Sequence, residues 1–466
     1  MGSAHTAEYR DRDPRGAPAG NVGATAEARP GSREFSQAAR SPRRSVAILV
    51  DDVLGWFQAG FQPTGIQRVV VELLDTASVR PDVEAWPAVA IDVGPGVGPR
   101  LDEIPRNSIQ GDVLQVGDSQ LSGPAEPPFR LRLLRAARAL VVRVPLPKRL
   151  RRRAKSLYLS LVDPGGLAAA TLPGRRPDLV LAPGAFWYGD LPAQMERLAR
   201  QGLPVRIIIY DLFPITNPEW CDARLCRDFA ASLETVVPIC DRVVTLSEPV
   251  ARDVAKAFPE MSGRIRVAAP NLIAHAPRSQ AAPRRPSTDQ SIGQFIFALG
   301  TIEPRKNHRA LLDAWRIVCR SGKHPKASLV IVGRYGWQSD DLEAEIERFA
   351  SELRIVRLKS ASDGEVEWLY ARCSATVHAA WAEGLGLPPR ESIARGIPTI
   401  ISSVIPTDGL PDDLPDELFQ RFDPRDVDRL AELMSKALAA GPVRYPVARG
   451  DGTGWEPVLD ALLDEV

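Results

Sequence analysis

Residues 295–333 read FIFALGTIEPRKNHRALLDAWRIVCRSGKHPKASLVIVG, and this stretch decides the fold. It contains two short apolar runs, 295–300 and 328–333, each of which ends in glycine. Between them, residues 307–320 carry apolar side chains at helical spacing. A buried strand, a helix and a second buried strand in this order are typical of a parallel sheet that helices cover.

The same alternation extends in both directions from this stretch. Toward the C-terminus it predicts strands at 354–358, 375–380 and 398–403, and helices at 339–353, 363–372, 389–395 and 426–439. Toward the N-terminus it predicts strands at 45–52, 86–92, 113–116, 178–182, 205–210 and 242–246, and helices at 191–201 and 223–236. The chain is therefore expected to be an α/β protein with two sheets of the Rossmann-like type.

Composition sets the domain limits. A chain of 466 residues is too long for one hydrophobic core. We predict a disordered tail at 1–44, an N-terminal domain at 45–273, a proline-rich linker at 274–290, a C-terminal domain at 291–445, and a C-terminal tail and helix at 446–466. The two domains are expected to face each other across a cleft.

Charge and cysteine content exclude several classes of protein. The 59 basic and 58 acidic residues nearly balance, so nothing in the overall charge favours nucleic-acid binding. Five scattered cysteines without a CxxC pair argue against a disulfide framework or a structural zinc site. No apolar run is long enough to span a membrane, and the first residues lack the apolar stretch of a signal peptide, so none is expected there. We expect a cytoplasmic protein.

The most informative segment for function is WAEGLGLPPRESIARGIP at 381–398. A predicted strand leads into a loop with Gly384 and Gly386, and a helix follows. Small residues let backbone N–H groups approach a ligand, and a helix amino terminus favours negative charge, so a phosphate would be stabilised there. Glu383 and Glu391 stand on either side and are better suited to accept hydrogen bonds from sugar hydroxyls.

This segment resembles the EGFGLP…E signature of the retaining family-4 glycosyltransferases, which have the GT-B fold. The resemblance implies that Glu383 contacts the hexose of a nucleoside diphosphate sugar and that Glu391 binds its ribose. It also implies that the backbone of Gly384, Gly386 and Leu387 contacts the sugar and the diphosphate. The likeness covers roughly residues 290–466.

Two further segments are similar to the same family. The turn EPRKN at 303–307 looks like its phosphate-binding loop, which implies that Lys306, assisted by Arg305, neutralises the leaving diphosphate. In the N-terminal half, PTGIQRVVVELL at 63–74 implies that Gly65 lies close to the diphosphate or the acceptor. Tyr210 and Asp211 follow a predicted strand, at the sheet edge where open α/β folds bind ligands.

Two departures from the family pattern keep alternatives open. Tyr210 stands where many members have a histidine near the reacting sugar, and Thr301 stands where many have an arginine. The alternatives are a sugar-nucleotide epimerase on the same fold and a catalytically degenerate binding protein. His308 and His378 are interpreted as structural.

The resemblance implies a retaining hexosyltransferase of surface polysaccharide assembly, similar to mannosyl- and rhamnosyltransferases. Its acceptor would be a glycan or a lipid-linked glycan. The acidic pairs 51–52 and 412–413 lack the context of a metal site, so no metal or other cofactor is expected. A GxGxxG fingerprint is absent, which counts against a nicotinamide-dependent oxidoreductase. The basic segment 128–162 is either a surface helix or a peripheral contact with anionic lipid at the inner face of the membrane.

Overall fold

The computed structural model describes residues 43–58, 65–92, 99–104, 172–173, 176–273, 282–288, 292–447 and 454–465. Three sequence predictions lie largely or wholly outside these residues: nearly all of the tail at 1–44, the strand at 113–116 and the basic segment at 128–162. The linker at 274–290 is described only at 282–288. Within the described residues, no helix is long and apolar enough to cross a membrane.

The first sheet has the strand order β4-β3-β2-β1-β5-β6-β7-β8 among the described residues. Its strands are β1 (Arg44–Leu49), β2 (Val83–Asp92), β3 (Pro99–Glu103), β4 (Leu172–Pro173), β5 (Leu179–Ala182), β6 (Val205–Ile209), β7 (Arg242–Thr245) and β8 (Ile265–Val267). Six neighbouring strands of this sheet are parallel to one another, in the order β2-β1-β5-β6-β7-β8. Only β3 and β4 run antiparallel to their neighbours, at one edge.

The second sheet is parallel throughout, in the order β11-β10-β9-β12-β13-β14. Its strands are β9 (Phe295–Leu299), β10 (Ser328–Val332), β11 (Ile355–Leu358), β12 (Ala375–His378), β13 (Thr399–Ser402) and β14 (Phe419–Phe422). The order reverses between β9 and β12, so a crevice forms beyond their carboxyl ends. The basic turn and the glycine loop both follow these two strands.

The helices that accompany the sheets are α1 (Asp51–Gln58), α2 (Ile66–Ser78), α3 (Leu191–Arg200), α4 (Phe213–Thr216), α5 (Ala223–Val236), α6 (Glu248–Ala257), α7 (His308–Arg320), α8 (Asp340–Phe349), α9 (Asp363–Arg372), α10 (Leu387–Ala394), α11 (Val427–Ala440) and α12 (Glu456–Leu463). They cover both faces of each sheet. Along β1, Val46 and Ile48 pack in one core cluster, and Ala47 and Leu49 pack in the other. The predicted pair of α/β sheets is confirmed.

The C-terminal helix α12 packs against the first sheet, although it follows the second in the chain. Val458, Leu459 and Leu462 are fully buried in the first sheet's core. Arginines at the amino ends of three strands then bind the carbonyls at the end of α12. Arg206 donates to the Leu462 and Asp464 carbonyls at 2.7 and 2.6 Å. Arg242 donates to those of Ala461 and Glu465, and Arg44 to that of Leu463. These cations satisfy carbonyls that lack helical partners.

The structure differs from the sequence predictions at several places. The strand predicted at 45–52 ends at Leu49, and α1 begins at Asp51, where Asp51 and Asp52 lie favourably in the first turn. At Gly55, within α1, an added Cβ would lie 2.1 Å from the Tyr188 hydroxyl. Glycine therefore lets Tyr188 pack this closely against the helix. Strand β14 was not predicted, because FQRF is short and mixed in polarity and forms the sheet edge.

Candidate active site

A short basic turn follows β9. The chain makes a 3-10 turn at Pro304–Lys306, and α7 begins after Asn307. Asn307 has a φ of 53°, a left-handed conformation that asparagine adopts more readily than most residues. Its side chain accepts a hydrogen bond from the Ala310 amide at 3.4 Å and so caps α7. The turn thereby holds Arg305 and Lys306 just beyond the carboxyl end of β9.

Both basic side chains contact Glu383, from the loop after β12. Arg305 donates to Glu383 Oε2 at 2.7 Å and to the Ala382 carbonyl at 3.0 Å. Lys306 donates to Glu383 Oε1. The Trp381 amide donates to the Arg305 carbonyl at 2.8 Å, which ties the two loops together through the backbone as well. The structure thus brings together the three residues predicted to be catalytic.

Arg305 has further partners that sequence reasoning missed. Its guanidinium donates to Glu303 Oε1 at 2.8 Å and lies 5.1 Å from the ring centroid of Phe213, in α4. Glu303 is only 7% exposed. Its place two residues before Arg305 was visible in the EPRKN segment, whereas the contact with Phe213 depends on how the two sheets pack. Arg305 is therefore oriented from three sides.

The ionisation of the cluster follows from its charges. Burial raises the pKa of Glu383, but Arg305 and Lys306 outweigh it and lower this pKa to about 2. Burial likewise lowers the pKa of Arg305, while Glu383, Glu303 and Asp211 more than compensate and raise it. Glu383 therefore stays ionised at any ordinary pH, as does Arg305.

The glycine loop joins the second sheet to the first. An added Cβ on Gly384 would lie 1.9 Å from the Tyr210 carbonyl oxygen, so no larger residue fits. The Gly384 carbonyl accepts a hydrogen bond from the Ser247 hydroxyl, after β7, at 2.6 Å. Gly386 has a φ of 81° and precedes the first residue of α10, Leu387. This conformation strongly favours glycine.

The amino end of α10 offers fewer N–H groups than most helices. Pro388 and Pro389 have no amide hydrogen, so two of the four amides that a helix start usually leaves free are missing here. Pro388 and Pro389 line a cavity together with Lys306, Glu383, His308 and His378. Burial lowers the pKa of each histidine to about 3, so both are neutral at neutral pH. The charged side chains that line this cavity are thus Lys306 and the ionised Glu383.

Glu391 lies in α10, and its side chain is 13% exposed. It accepts a hydrogen bond from the Tyr370 hydroxyl, in α9, at 3.2 Å. Arg68, in α2 of the first sheet, lies 3.9 Å from its other oxygen. Burial raises the pKa of Glu391, and Arg68 and Arg395 lower it only in part. The pKa of Glu383 is thus lowered, whereas that of Glu391 is raised.

The first sheet contributes Tyr210 and Asp211 beyond the end of β6. The Tyr210 hydroxyl donates to the Pro183 carbonyl at 2.6 Å, so this side chain is engaged within its own sheet. Asp211 accepts from the Phe213 amide at 3.2 Å, and burial raises its pKa while Arg305 lowers it. Gly65 is exposed, has a φ of 52° and immediately precedes α2.

The acidic pair at 51–52 has structural contacts, whereas Asp412 and Asp413 are exposed. Asp52 is buried and accepts a hydrogen bond from the Ala185 amide at 3.0 Å. Asp51 accepts from the Ala90 amide at 3.5 Å. Within the described ranges, no group of three or more His, Cys, Asp or Glu side chains has the arrangement of a metal site.

Two Rossmann-like sheets that share one charged site at their carboxyl ends constitute the GT-B architecture. Residues 284–444 match the family model described as "Glycosyl transferases group 1". Over these residues the chain carries a group 1 glycosyl transferase domain.

Other proteins are similar to parts of this chain in sequence or in structure. It is 28% identical over 263 residues to the Escherichia coli "Serotype-specific mannosyltransferase WbdA", covering 53% of this chain and 32% of the relative. It is 27% identical over 256 residues to the Escherichia coli "O-antigen chain mannosyltransferase B", covering 53% of this chain and 63% of the relative. The chain thus spans about a third of the first relative's length. A solved structure of the lipopolysaccharide outer core galactosyltransferase WaaB covers 90% of this chain and 99% of its own, with 13% identity and a TM-score of 0.46.

Proposed function

We propose that this protein transfers a hexose from a nucleoside diphosphate sugar to a glycan or lipid-linked glycan acceptor, with retention at the anomeric carbon. The observation that carries the proposal is the cluster of Arg305, Lys306 and Glu383 at the carboxyl ends of β9 and β12, inside the group 1 domain. Two fixed cations beside a glycine loop suit a diphosphate that gains charge as its bond to the sugar breaks.

Lys306 and Arg305 stabilise the leaving diphosphate in this proposal. Both cations are already oriented by their ion pairs with Glu383. Binding of the donor therefore costs little free energy for ordering these two side chains. Glu383 remains ionised and accepts a hydrogen bond from a hexose hydroxyl. The phosphate oxygens then share the two cations with Glu383, and the interaction strengthens as negative charge develops on the leaving group.

The other predicted donor contacts fall on both sides of the crevice. Glu391 accepts hydrogen bonds from the ribose hydroxyls, and the backbone of Gly384, Gly386 and Leu387 contacts the sugar and diphosphate. On the first sheet Tyr210, Asp211 and Gly65 complete the donor site, with Gly65 close to the diphosphate. Tyr210 acts here through its backbone and ring, since its hydroxyl is bound to the Pro183 carbonyl.

Retention is proposed because the segment 381–398 resembles that of the retaining family-4 glycosyltransferases. The departing phosphate oxygen takes the proton of the acceptor hydroxyl, which attacks the anomeric carbon on the same face as the leaving group. The glycosidic bond to the diphosphate breaks while the bond to the acceptor forms. No metal ion is required in this scheme, because Lys306 and Arg305 supply the positive charge.

The acceptor and the cellular setting are inferred from the relatives. Their names are those of mannosyltransferases, one of an O-antigen chain. This supports mannose as the hexose and surface polysaccharide assembly as the process.

We place the protein in the cytoplasm, with residues 128–162 in contact with anionic lipid. Co-sedimentation tests the contact: stronger pelleting with anionic than with neutral vesicles, lost at high salt, is expected. Equal pelleting with both would contradict it.

The experiment compares donor affinity with turnover. Calorimetry with UDP-, GDP- and dTDP-sugars identifies the donor, and product formation is measured with a glycan acceptor. Lys306→Ala should lower turnover by a larger factor than it weakens donor binding, because its charge matters most in the transition state. Glu391→Ala should mainly weaken binding, and Glu383→Gln should weaken binding of the sugar donor more than of the free nucleotide.

Lys326→Ala serves as the matched control, because Lys326 is exposed on the surface. It should change neither quantity. A wild-type protein that binds a nucleotide sugar but transfers nothing to acceptor or water would be a binding protein, and the transferase proposal would fail. Unchanged binding and turnover in both Lys306→Ala and Glu391→Ala would refute the site assignment.

A further inference from the structure

Arg68 connects the first sheet to the nucleotide side of the second. It lies in the first turn of α2, three residues after Gly65. One guanidinium nitrogen lies 3.5 Å from Asp363 Oδ1, at the start of α9, and another lies 3.9 Å from Glu391 Oε1, in α10. One side chain from the first sheet thus reaches two helices of the second.

We propose that Arg68 is a positioning residue for the donor site: it crosses between the sheets to hold the Glu391 carboxylate ionised and oriented toward the ribose. This inference rests on the proposed function, since it assigns Glu391 to the nucleoside diphosphate. It adds a contribution from the first sheet to nucleotide binding. The ribose contact is then complete only when α2 lies against α9 and α10.

Glu391 needs such a partner because its own surroundings oppose its charge. Its side chain is largely buried, and its one hydrogen bond from the described part of the chain comes from a neutral group, the Tyr370 hydroxyl. Arg395 is the cation of the second sheet that faces it, but Arg395 is bound to Glu367 at 2.5 Å and to the Glu391 carbonyl at 2.9 Å. Arg68 is the cation that approaches the Glu391 carboxylate from the opposite side.

The charges around Glu391 set the expected pH dependence. Facing it are Arg68 and Glu72 on α2, Glu367 and Tyr370 on α9, and Arg395 after α10. Burial raises the pKa of Glu72, and the charges of Asp75 and Glu391 add to this. Two carboxylates from opposite sheets thus approach one another with Arg68 beside both. Removal of Arg68 raises the Glu391 pKa further and favours its protonated form as the pH falls.

The test is a thermodynamic cycle read by calorimetry. UDP, GDP and dTDP are titrated into the 466-residue chain. The nucleotide that binds is then titrated into Arg68→Ala, Arg68→Lys, Glu391→Gln and the double variant Arg68→Ala/Glu391→Gln. Arg252→Ala is the control, because Arg252 is an exposed arginine on α6. Each titration is repeated at about pH 5.5, 7 and 8.5, a range that spans the titration of a carboxylate with a raised pKa.

Arg68→Ala should weaken nucleotide binding roughly two- to fivefold at neutral pH, the range for a half-exposed ion pair. The loss should grow at acid pH and shrink at alkaline pH, where Glu391 ionises unaided. Arg68→Lys should restore part of the affinity, and Arg252→Ala should match the wild type. In the Glu391→Gln background, Arg68→Ala should have no further effect, because no carboxylate remains to be held.

Three results would overturn the inference. An equal loss in both backgrounds, or one that is independent of pH, would mean that Arg68 contacts the nucleotide directly. Unchanged affinity in Arg68→Ala, in a protein whose wild type binds the nucleotide, would remove the role altogether and leave the proposed function intact. If the wild type binds none of the three nucleotides, the proposed function itself fails and this inference with it.

Discussion

Replacement of Glu383 by glutamine tests the electrostatics of the site through the stability of the fold. Glu383 is 12% exposed and accepts hydrogen bonds from both Arg305 and Lys306. Its pKa of about 2 lies below the ordinary value of 4.5, and this difference corresponds to about 3 kcal/mol of favourable interaction with the charged form. Glutamine preserves the shape but not the charge, so Glu383→Gln should lower the free energy of unfolding by about that amount at neutral pH.

The pH dependence has a definite sign. Because the pKa of Glu383 is depressed by folding, its stabilisation is fully present above pH 4.5 and is lost as the pH falls toward about 2. The difference between wild type and Glu383→Gln should therefore be constant around neutral pH and shrink on acidification. Both proteins contain the same remaining carboxylates, so the comparison isolates this one group.

Glu391 supplies a matched control from the same segment. Its pKa is raised, with burial as the main cause, so the fold disfavours its ionised form. A contribution of this sign is present at acid pH and lost as the pH rises through the raised pKa. Glu391→Gln should therefore leave the stability unchanged or slightly increased at neutral pH. Two glutamates eight positions apart should respond in opposite directions.

The assay is urea unfolding followed by circular dichroism, across a range from neutral to acid pH. The slope with urea should be the same for all three proteins, so that midpoints can be compared. If Glu383→Gln unfolds like the wild type at neutral pH, the ion cluster contributes nothing to the fold and the pKa argument fails. Equal destabilisation by Glu391→Gln would show that loss of any buried carboxylate, and not the cation pairing, is responsible.

Three further outcomes are expected. Gly384→Ala should lower turnover at least tenfold, because its Cβ would lie 1.9 Å from the Tyr210 carbonyl oxygen and force the sheets apart. Gly263→Ala is the control and should match wild type in the same assay, since nothing lies within 4 Å of its Cβ. Equal activity of the two variants would contradict this packing. Arg206→Met should lower the free energy of unfolding, measured in urea, by about 3 kcal/mol, because it removes two charged hydrogen bonds to the end of α12. The control Arg200→Met, at an exposed arginine, should leave this free energy unchanged. If Arg206→Met is as stable as the wild type, these hydrogen bonds do not stabilise α12. Transferase activity should persist in excess EDTA, since Lys306 and Arg305 supply the charge, and complete loss restored by magnesium or manganese would refute this.

Much of the architecture could be predicted from the sequence because the signals are local. Short apolar runs that alternate with helical periodicity predict buried parallel strands, and the predicted helix at 223–236 matches α5 residue for residue. The proximity of Arg305 and Lys306 to Glu383 also follows from the strand pattern, since β9 and β12 are neighbours and both loops leave the same edge. Gly386 was identifiable because a left-handed residue before a helix favours glycine.

Other features depend on contacts between residues far apart in the chain. The approach of Gly384 to Tyr210 and the reach of Arg68 to Glu391 both arise where the two sheets meet. The arginines that bind the end of α12 looked like ordinary charged residues at strand starts. No local pattern encodes these contacts, because each depends on distances between groups more than 70 residues apart. Sequence therefore determined the type of each element and the chemistry available at its ends. Tertiary packing decided which charges meet and how deeply they are buried, and it thereby shifts the pKa values of two similar glutamates, Glu383 and Glu391, in opposite directions.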